Sequence, residues 1–295
     1  MLARARGRLA LVLVLCATLL GVQPGSTTTA APLVIGCGEP VFKPNGSLWS
    51  CTFADEFEGT TLDPAKWVAI RTHAAGFRNG IECFVNLPQT VRVSSGSLRL
   101  SVVKHDELMA CDDPLIGTYY THYMAGMVSS WRRFSQTYGR FEFRARFPQA
   151  DVAGLQSALW LWPVDANRYG ERPASGEIDV AEFFSQHPDR VIPNVHFTGD
   201  ESDPTRTNTN CLIKRPDRFH VYTLTWGPRR IKIQYDGTTC IVNRWVQYPG
   251  LQRTAPFDHP FHVNLTQALG IGSNAVRPRT PLPATMVVDY VRVWK

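Results

Sequence analysis

Residues 141–147 read Phe-Glu-Phe-Arg-Ala-Arg-Phe, an unbroken alternation of apolar and charged side chains. Successive residues of a strand point to opposite faces, so this segment has one buried and one wet face as a strand and no apolar stripe as a helix. The same period recurs. Residues 231–235 read Ile-Lys-Ile-Gln-Tyr, Asp236-Gly237 supplies a tight turn, and Cys240-Ile241-Val242 returns, which predicts a hairpin. Short runs of the same kind follow at residues 98–103, 220–226 and 286–294. No segment carries sustained helical periodicity, and no internal repeat is visible. The 22 Gly and 21 Pro are spread without a period, which suits many turns between short strands. The expectation is an all-β sandwich of two antiparallel sheets.

The first residues follow a different rule. Arg4, Arg6 and Arg8 precede an apolar run over residues 9–20, after which Pro24 and Gly25 break the pattern and Thr28-Thr29-Ala30 offers a small-residue cleavage site. That predicts a signal peptide over residues 1–30, a lead-in segment over residues 31–50 and a single domain over residues 51–295. No later stretch reaches the roughly twenty apolar residues of a membrane helix, so a secreted protein without membrane association is expected. Val34-Ile35-Gly36-Cys37 resembles a bacterial lipobox, but a Pro/Gly/Thr-rich spacer separates it from the apolar run. The formal charge is +6, and losing residues 1–30 removes three arginines and no acid, leaving +3. Arg132-Arg133 and Arg229-Arg230 are isolated pairs, so no nucleic-acid partner is expected.

Cys16 leaves with the signal peptide and six cysteines remain: Cys37, Cys51, Cys83, Cys111, Cys211 and Cys240. An even number in an exported protein points to disulfides. A zinc site is a poor reading, because no C-x-x-C spacing occurs. Of the possible pairings, nearest neighbours are expected: 37 with 51, 83 with 111, 211 with 240.

Residues 175–184 read Ser-Gly-Glu-Ile-Asp-Val-Ala-Glu-Phe-Phe, three carboxylates interleaved with apolar side chains. Glu177 and Asp179 share a strand face. Glu182 falls on the other face unless one extra residue, a β-bulge near Val180 or Ala181, turns it back. With that bulge all three acids face one cleft. Two Glu an effective four strand positions apart have Cα atoms roughly 13 Å apart at about 3.3 Å per residue, and leaning side chains bring the carboxyls to about 5 or 6 Å. That spacing favours a retaining, two-step displacement over an inverting one. Crowding three anions raises the pKa of at least one, which places a protonated acid beside an ionised nucleophile.

At these residues the chain resembles glycoside hydrolase family 16, in its bulged, laminarinase-like branch with the signature E-x-D-x-x-E. The resemblance extends to Phe53-Ala54-Asp55-Glu56-Phe57-Glu58-Gly59, to Tyr138-Gly139-Arg140-Phe141-Glu142 and to the closing strand Val288-Asp289-Tyr290-Val291-Arg292-Val293. It implies a β-jelly roll with a concave sheet lining a sugar cleft. It also implies Glu177 as nucleophile, Asp179 as assisting acid and Glu182 as general acid/base. Trp160 resembles a sugar-stacking aromatic and His196 a residue beside the catalytic strand, although each also reads as an ordinary core side chain. Arg140 and Gln267 complete the candidate substrate-binding set. No cofactor is expected for catalysis. Asp289, Gly96 and Glu56 resemble a structural calcium site.

The implied activity is secreted endo-β-1,3-glucan hydrolysis by a monomer, with a β-glucan polysaccharide as partner. Mixed-linkage glucanase, β-galactanase, transglycosylase and a non-catalytic glucan-binding module are the alternatives; a binding module typically lacks the acids that survive here. The chain departs from the family where many relatives carry Trp before Pro-Ala: it reads Gly154-Leu155-Gln156-Ser157-Ala158. It also reads Leu265-Thr266-Gln267-Ala268 where relatives carry Asn-Leu-Ala, and Thr225 stands before Trp226 in place of Glu.

Overall fold

The computed structural model describes residues 36–199, 203–245 and 254–295. The signal peptide expected over residues 1–30 lies outside the described residues. Among the described residues fifteen strands carry the fold. In chain order they begin with β1 (Cys51–Asp55), β2 (Val68–Ala69), β3 (Cys83–Phe84), β4 (Val91–Val93) and β5 (Leu98–Cys111). β6 (Tyr119–Ser129), β7 (Gly139–Arg146), β8 (Leu155–Pro163), β9 (Glu177–Phe184) and β10 (Ile192–His196) follow. The set closes with β11 (His220–Gly227), β12 (Arg230–Tyr235), β13 (Thr238–Asn243), β14 (Phe261–Leu269) and β15 (Ala284–Trp294). One four-residue helix, α1 (Thr72–Ala75), lies between β2 and β3. Among the described residues no helix is long and apolar enough to cross a membrane.

Apart from β3, which pairs in parallel with β6, the strands form the two antiparallel layers of a jelly-roll sandwich. One runs β10-β9-β8-β14-β6, with β2 beside β6; the other runs β4-β5-β15-β7-β11-β12-β13, with β1 on β15. β5 belongs to both. Its first residues pair with β15 and its last with β6, with an irregularity between Lys104 and Met109, so one long strand turns the corner between layers. The alternation in β7 behaves as its sequence demands: Phe141, Phe143 and Ala145 are fully buried while Arg140, Glu142, Arg144 and Arg146 are partly exposed. Against that inner face come Leu159 and Leu161 of β8, Ile178 and Phe183 of β9, and Val263 and Leu265 of β14, all at or near zero exposure. At about 25 cal/mol per Å² of apolar surface, such burial is the main force holding the layers together.

All three disulfides pair as expected: Cys37–Cys51, Cys83–Cys111 and Cys211–Cys240. The first ties the lead-in segment to β1, and the chain end is pinned beside it by reciprocal backbone bonds between Ser50 and Lys295. Cys37 is thereby committed to a disulfide, which removes the thiol that a lipobox reading requires.

Candidate active site

The acids come together because of one unpaired residue. On β8, Leu159 pairs with Ala181 and Trp160 with Asp179, so Val180 has no opposite number and bulges. Before the bulge the odd positions Glu177 and Asp179 face outward; after it the even position Glu182 does, and all three line one cleft. The Val180 carbonyl released from the ladder accepts a hydrogen bond from the Tyr235 hydroxyl, 2.9 Å away, contributed by β12 of the opposite layer. Chain entry into β9 is equally constrained. Gly176 has φ 83°, and a Cβ there would sit 2.7 Å from the Phe257 ring.

The cleft encloses about 830 Å³ over the outer face of the β10-β9-β8-β14-β6 layer. Strand parity decides its lining: Gln156, Trp160 and Trp162 of β8 and Asn264, Thr266 and Ala268 of β14 face it. Arg71, Phe77, Arg78 and Asn79, from the segment around α1, form a wall. Trp160 is half-buried and fixed, with its indole N–H donating to Thr266 Oγ1 at 2.9 Å and its ring stacked on Phe77. His196 joins from β10, its Nε2 3.0 Å from Asp179 Oδ2.

The electrostatics separate the three acids. Glu177 is ion-paired: Arg172 Nε and Nη2 both donate to its Oε2, at 2.9 and 2.6 Å. Burial, and then the charge of Glu177, hold the Asp179 carboxyl well above the usual range, with Arg172 opposing. Burial, followed by the charge of Asp179, raises Glu182 likewise, against a hydrogen bond from Gln156 and the influence of His196. Burial lowers His196 despite the neighbouring carboxylates, so at neutral pH its contact with Asp179 is a hydrogen bond and not an ion pair. The cleft therefore holds one carboxylate ion-paired with a guanidinium beside two buried carboxyls whose protonated forms are favoured, the division of labour an acid and a nucleophile require.

Trp160 and His196 lie at this site together with the acids. Two other sequence expectations are corrected. Gln267 is wholly buried behind the cleft, accepting from the Ser157 hydroxyl at 2.6 Å, because on β14 the even positions face outward and 267 is odd. Arg140 is on β7, in the other layer; it pairs with Glu142 and lies over the Trp294 ring. The calcium set does not fit a cation. Asp289 is ion-paired with Arg144, Glu56 is paired twice with Arg292 at 2.7 and 2.8 Å, and the carboxylate that approaches Gly96 belongs to Glu58. Arg172, Asn79 and Trp162 escaped sequence reading. For Trp162 the signal was present, since it has the parity of Trp160; Arg172 and Asn79 lie in loops, where no period marks orientation.

The sequence profile described as Glycosyl hydrolases family 16 matches residues 82–268. The chain belongs to that family. Among relatives of this family 16 glycosyl hydrolase, "Glucan endo-1,3-beta-glucosidase A1" of Niallia circulans is 35% identical over 263 residues, covering 82% of this chain and 37% of that protein. "Beta-glucanase" of Rhodothermus marinus is 32% identical over 266 residues, covering 84% of this chain and 85% of that protein. The family 16 chain thus spans little more than a third of the first relative's length and most of the second's. The crystal structure of an endo-beta-1,3-glucanase from Pyrococcus furiosus superposes with a TM-score of 0.73 at 26% identity, covering 88% of this chain and 98% of that one.

Proposed function

We propose that this family 16 member is a retaining endo-β-1,3-glucan hydrolase. The observation that carries the reading is the bulge at Val180, which brings Glu177, Asp179 and Glu182 to one cleft face. In the first half-reaction Glu182 donates its proton to the glycosidic oxygen as the bond from that oxygen to C1 breaks and its electron pair stays with the leaving sugar. Glu177 forms an ester bond to C1. In the second, Glu182 takes a proton from water, whose oxygen attacks C1 and releases Glu177 as a carboxylate. Asp179, between the two and hydrogen-bonded to His196, keeps negative charge from accumulating beside both. Trp160 supplies a ring face for a pyranose, and its bond to Thr266 holds that ring in place.

The relatives named for 1,3-glucan cleavage support the linkage, and three disulfides support an extracellular setting. An activated 2-fluoro-glucoside tests the mechanism. It should leave a covalent adduct on Glu177, and laminarin should be cut with retention of anomeric configuration. An adduct on another residue, or inverted product, rules the assignment out. Lichenan, xyloglucan and β-galactans assayed beside laminarin decide the linkage.

A further inference from the structure

Gln156 stands where the sequence departs from its family, and it touches Glu182. Its side-chain N–H donates to Glu182 Oε1 at 2.9 Å, while its own carbonyl oxygen accepts from Asn79 Nδ2 at 2.9 Å. Asn79 Nδ2 also donates to the backbone carbonyl of Leu269 at 2.7 Å. A backbone carbonyl can only accept, so that last contact fixes which end of the Asn79 amide is NH₂. The atom of Gln156 facing Asn79 must then be oxygen, and its NH₂ must face Glu182. The sense of every hydrogen bond from Leu269 to the catalytic carboxyl is thus set by one main-chain oxygen.

We propose that Asn79 and Gln156 form a positioning relay that holds Glu182 Oε1 as a permanent acceptor and assigns the transferable proton to Oε2. This inference rests on Glu182 being the acid/base. Gln156 reaches Glu182 diagonally across the β8–β9 ladder, where it pairs with Phe184 and Ala158 pairs with Glu182. Asn79 is anchored from the cleft wall: the next residue, Gly80, donates its N–H to buried Glu82, and Cys83 is bridged to Cys111. A carboxyl gripped at one oxygen has lost one of its two equivalent protonation sites and the freedom to turn, so the proton stays on the ungripped atom. The donated N–H also stabilises the ionised form, opposing the burial that favours the protonated one. Such a balance suits a group that must give its proton in one half-reaction and take one in the next.

The charged and titratable groups facing Glu182 are Asp179 and Glu177 on its own strand, His196 on β10, Arg172 before β9 and Tyr235 on β12. None is altered by substitution at 156 or 79, so a shift in the pH profile reads the amide alone. In Gln156→Leu the ionised form of Glu182 loses its donor. The basic limb of kcat/KM should then move to higher pH by about one to two units, the size of one hydrogen bond to a carboxylate. Turnover of laminarin should fall about ten-fold, while an activated aryl glycoside, whose leaving group needs no proton, should fall far less.

Asn79→Ala, which frees the Gln156 amide to flip, should move the limb in the same direction by less. The double variant should match Gln156→Leu alone, because both act through one bond. A basic limb that stays in place in either folded single variant, or shifts that add in the double variant, overturns the relay. The acid/base reading is checked separately. Glu182→Ala should regain turnover of the activated glycoside with azide; if it does while Gln156→Leu leaves the limb unmoved, the relay alone fails, and if it does not, the role of Glu182 fails first.

Discussion

Replacing Tyr235 by Phe tests the bulge from the far side of the molecule. The Tyr235 hydroxyl is buried and donates to the Val180 carbonyl at 2.9 Å, the main-chain oxygen that the bulge removes from the ladder with β8. Tyr235→Phe keeps the ring and leaves that carbonyl buried without its partner, which costs about 1–3 kcal/mol. In a domain of this size each kcal/mol lowers Tm by about 2–4 °C. The neighbouring Tyr222 is an internal control. Its ring meets that of Tyr235 edge-on at 5.0 Å, it is fully buried, and its hydroxyl has no hydrogen-bond partner among the described residues. Tyr222→Phe removes an unsatisfied polar group and should be neutral or stabilising. Urea unfolding of both variants gives the comparison. Activity should follow stability only for Tyr235→Phe, whose bulge is free to slip; one residue of slip turns Glu182 toward the apolar layer. If Tyr235→Phe is as stable as the parent, or Tyr222→Phe is the costlier change, the bulge is not anchored across the sandwich.

Glu82, fully buried just before β3, has its pKa pushed up to about 7 by burial, against backbone hydrogen bonds and the charge of Arg78. A carboxyl raised in the folded state stabilises fully below its unfolded value and loses that contribution as pH rises through 7, so the parent should lose on the order of 3 kcal/mol between about pH 4 and 8. Glu82→Gln should flatten that part of the stability–pH curve, and an unchanged slope contradicts the burial argument. Arg172→Met removes both N–H donors from Glu177 and should lower kcat about 10- to 100-fold, with Arg172→Lys a poor substitute because an ammonium does not present two parallel donors. Parent-like turnover of laminarin by Arg172→Met refutes it. Replacing Cys83 and Cys111 together by Ser should cost about 2–4 kcal/mol in denaturant unfolding, and thiol titration of the native protein without residues 1–30 should find no reactive cysteine.

Much of this protein was legible before any coordinate. The alternation in β7 could only be a half-buried strand, and nearest-neighbour pairing of the cysteines holds for all three bridges, across separations of 14, 28 and 29 residues. The three acids on β9 demanded a bulge or a different mechanism, because a side-chain period of two leaves no third option. Periodicity divides a strand into two faces but does not say which face meets the cleft or to which layer the strand belongs. Gln267 has the wrong parity and Arg140 the wrong layer, and both follow from pairings between residues more than a hundred positions apart in sequence. Arg172 and Asn79 sit in loops, where orientation is set by what the chain packs against and not by a local repeat. The identity of the chemistry was therefore local, written in six residues of one strand. The proton assignments of that chemistry depend on the guanidinium and the amides that tertiary structure brings to it, since a carboxyl takes its pKa from its surroundings and not from its neighbours in the chain.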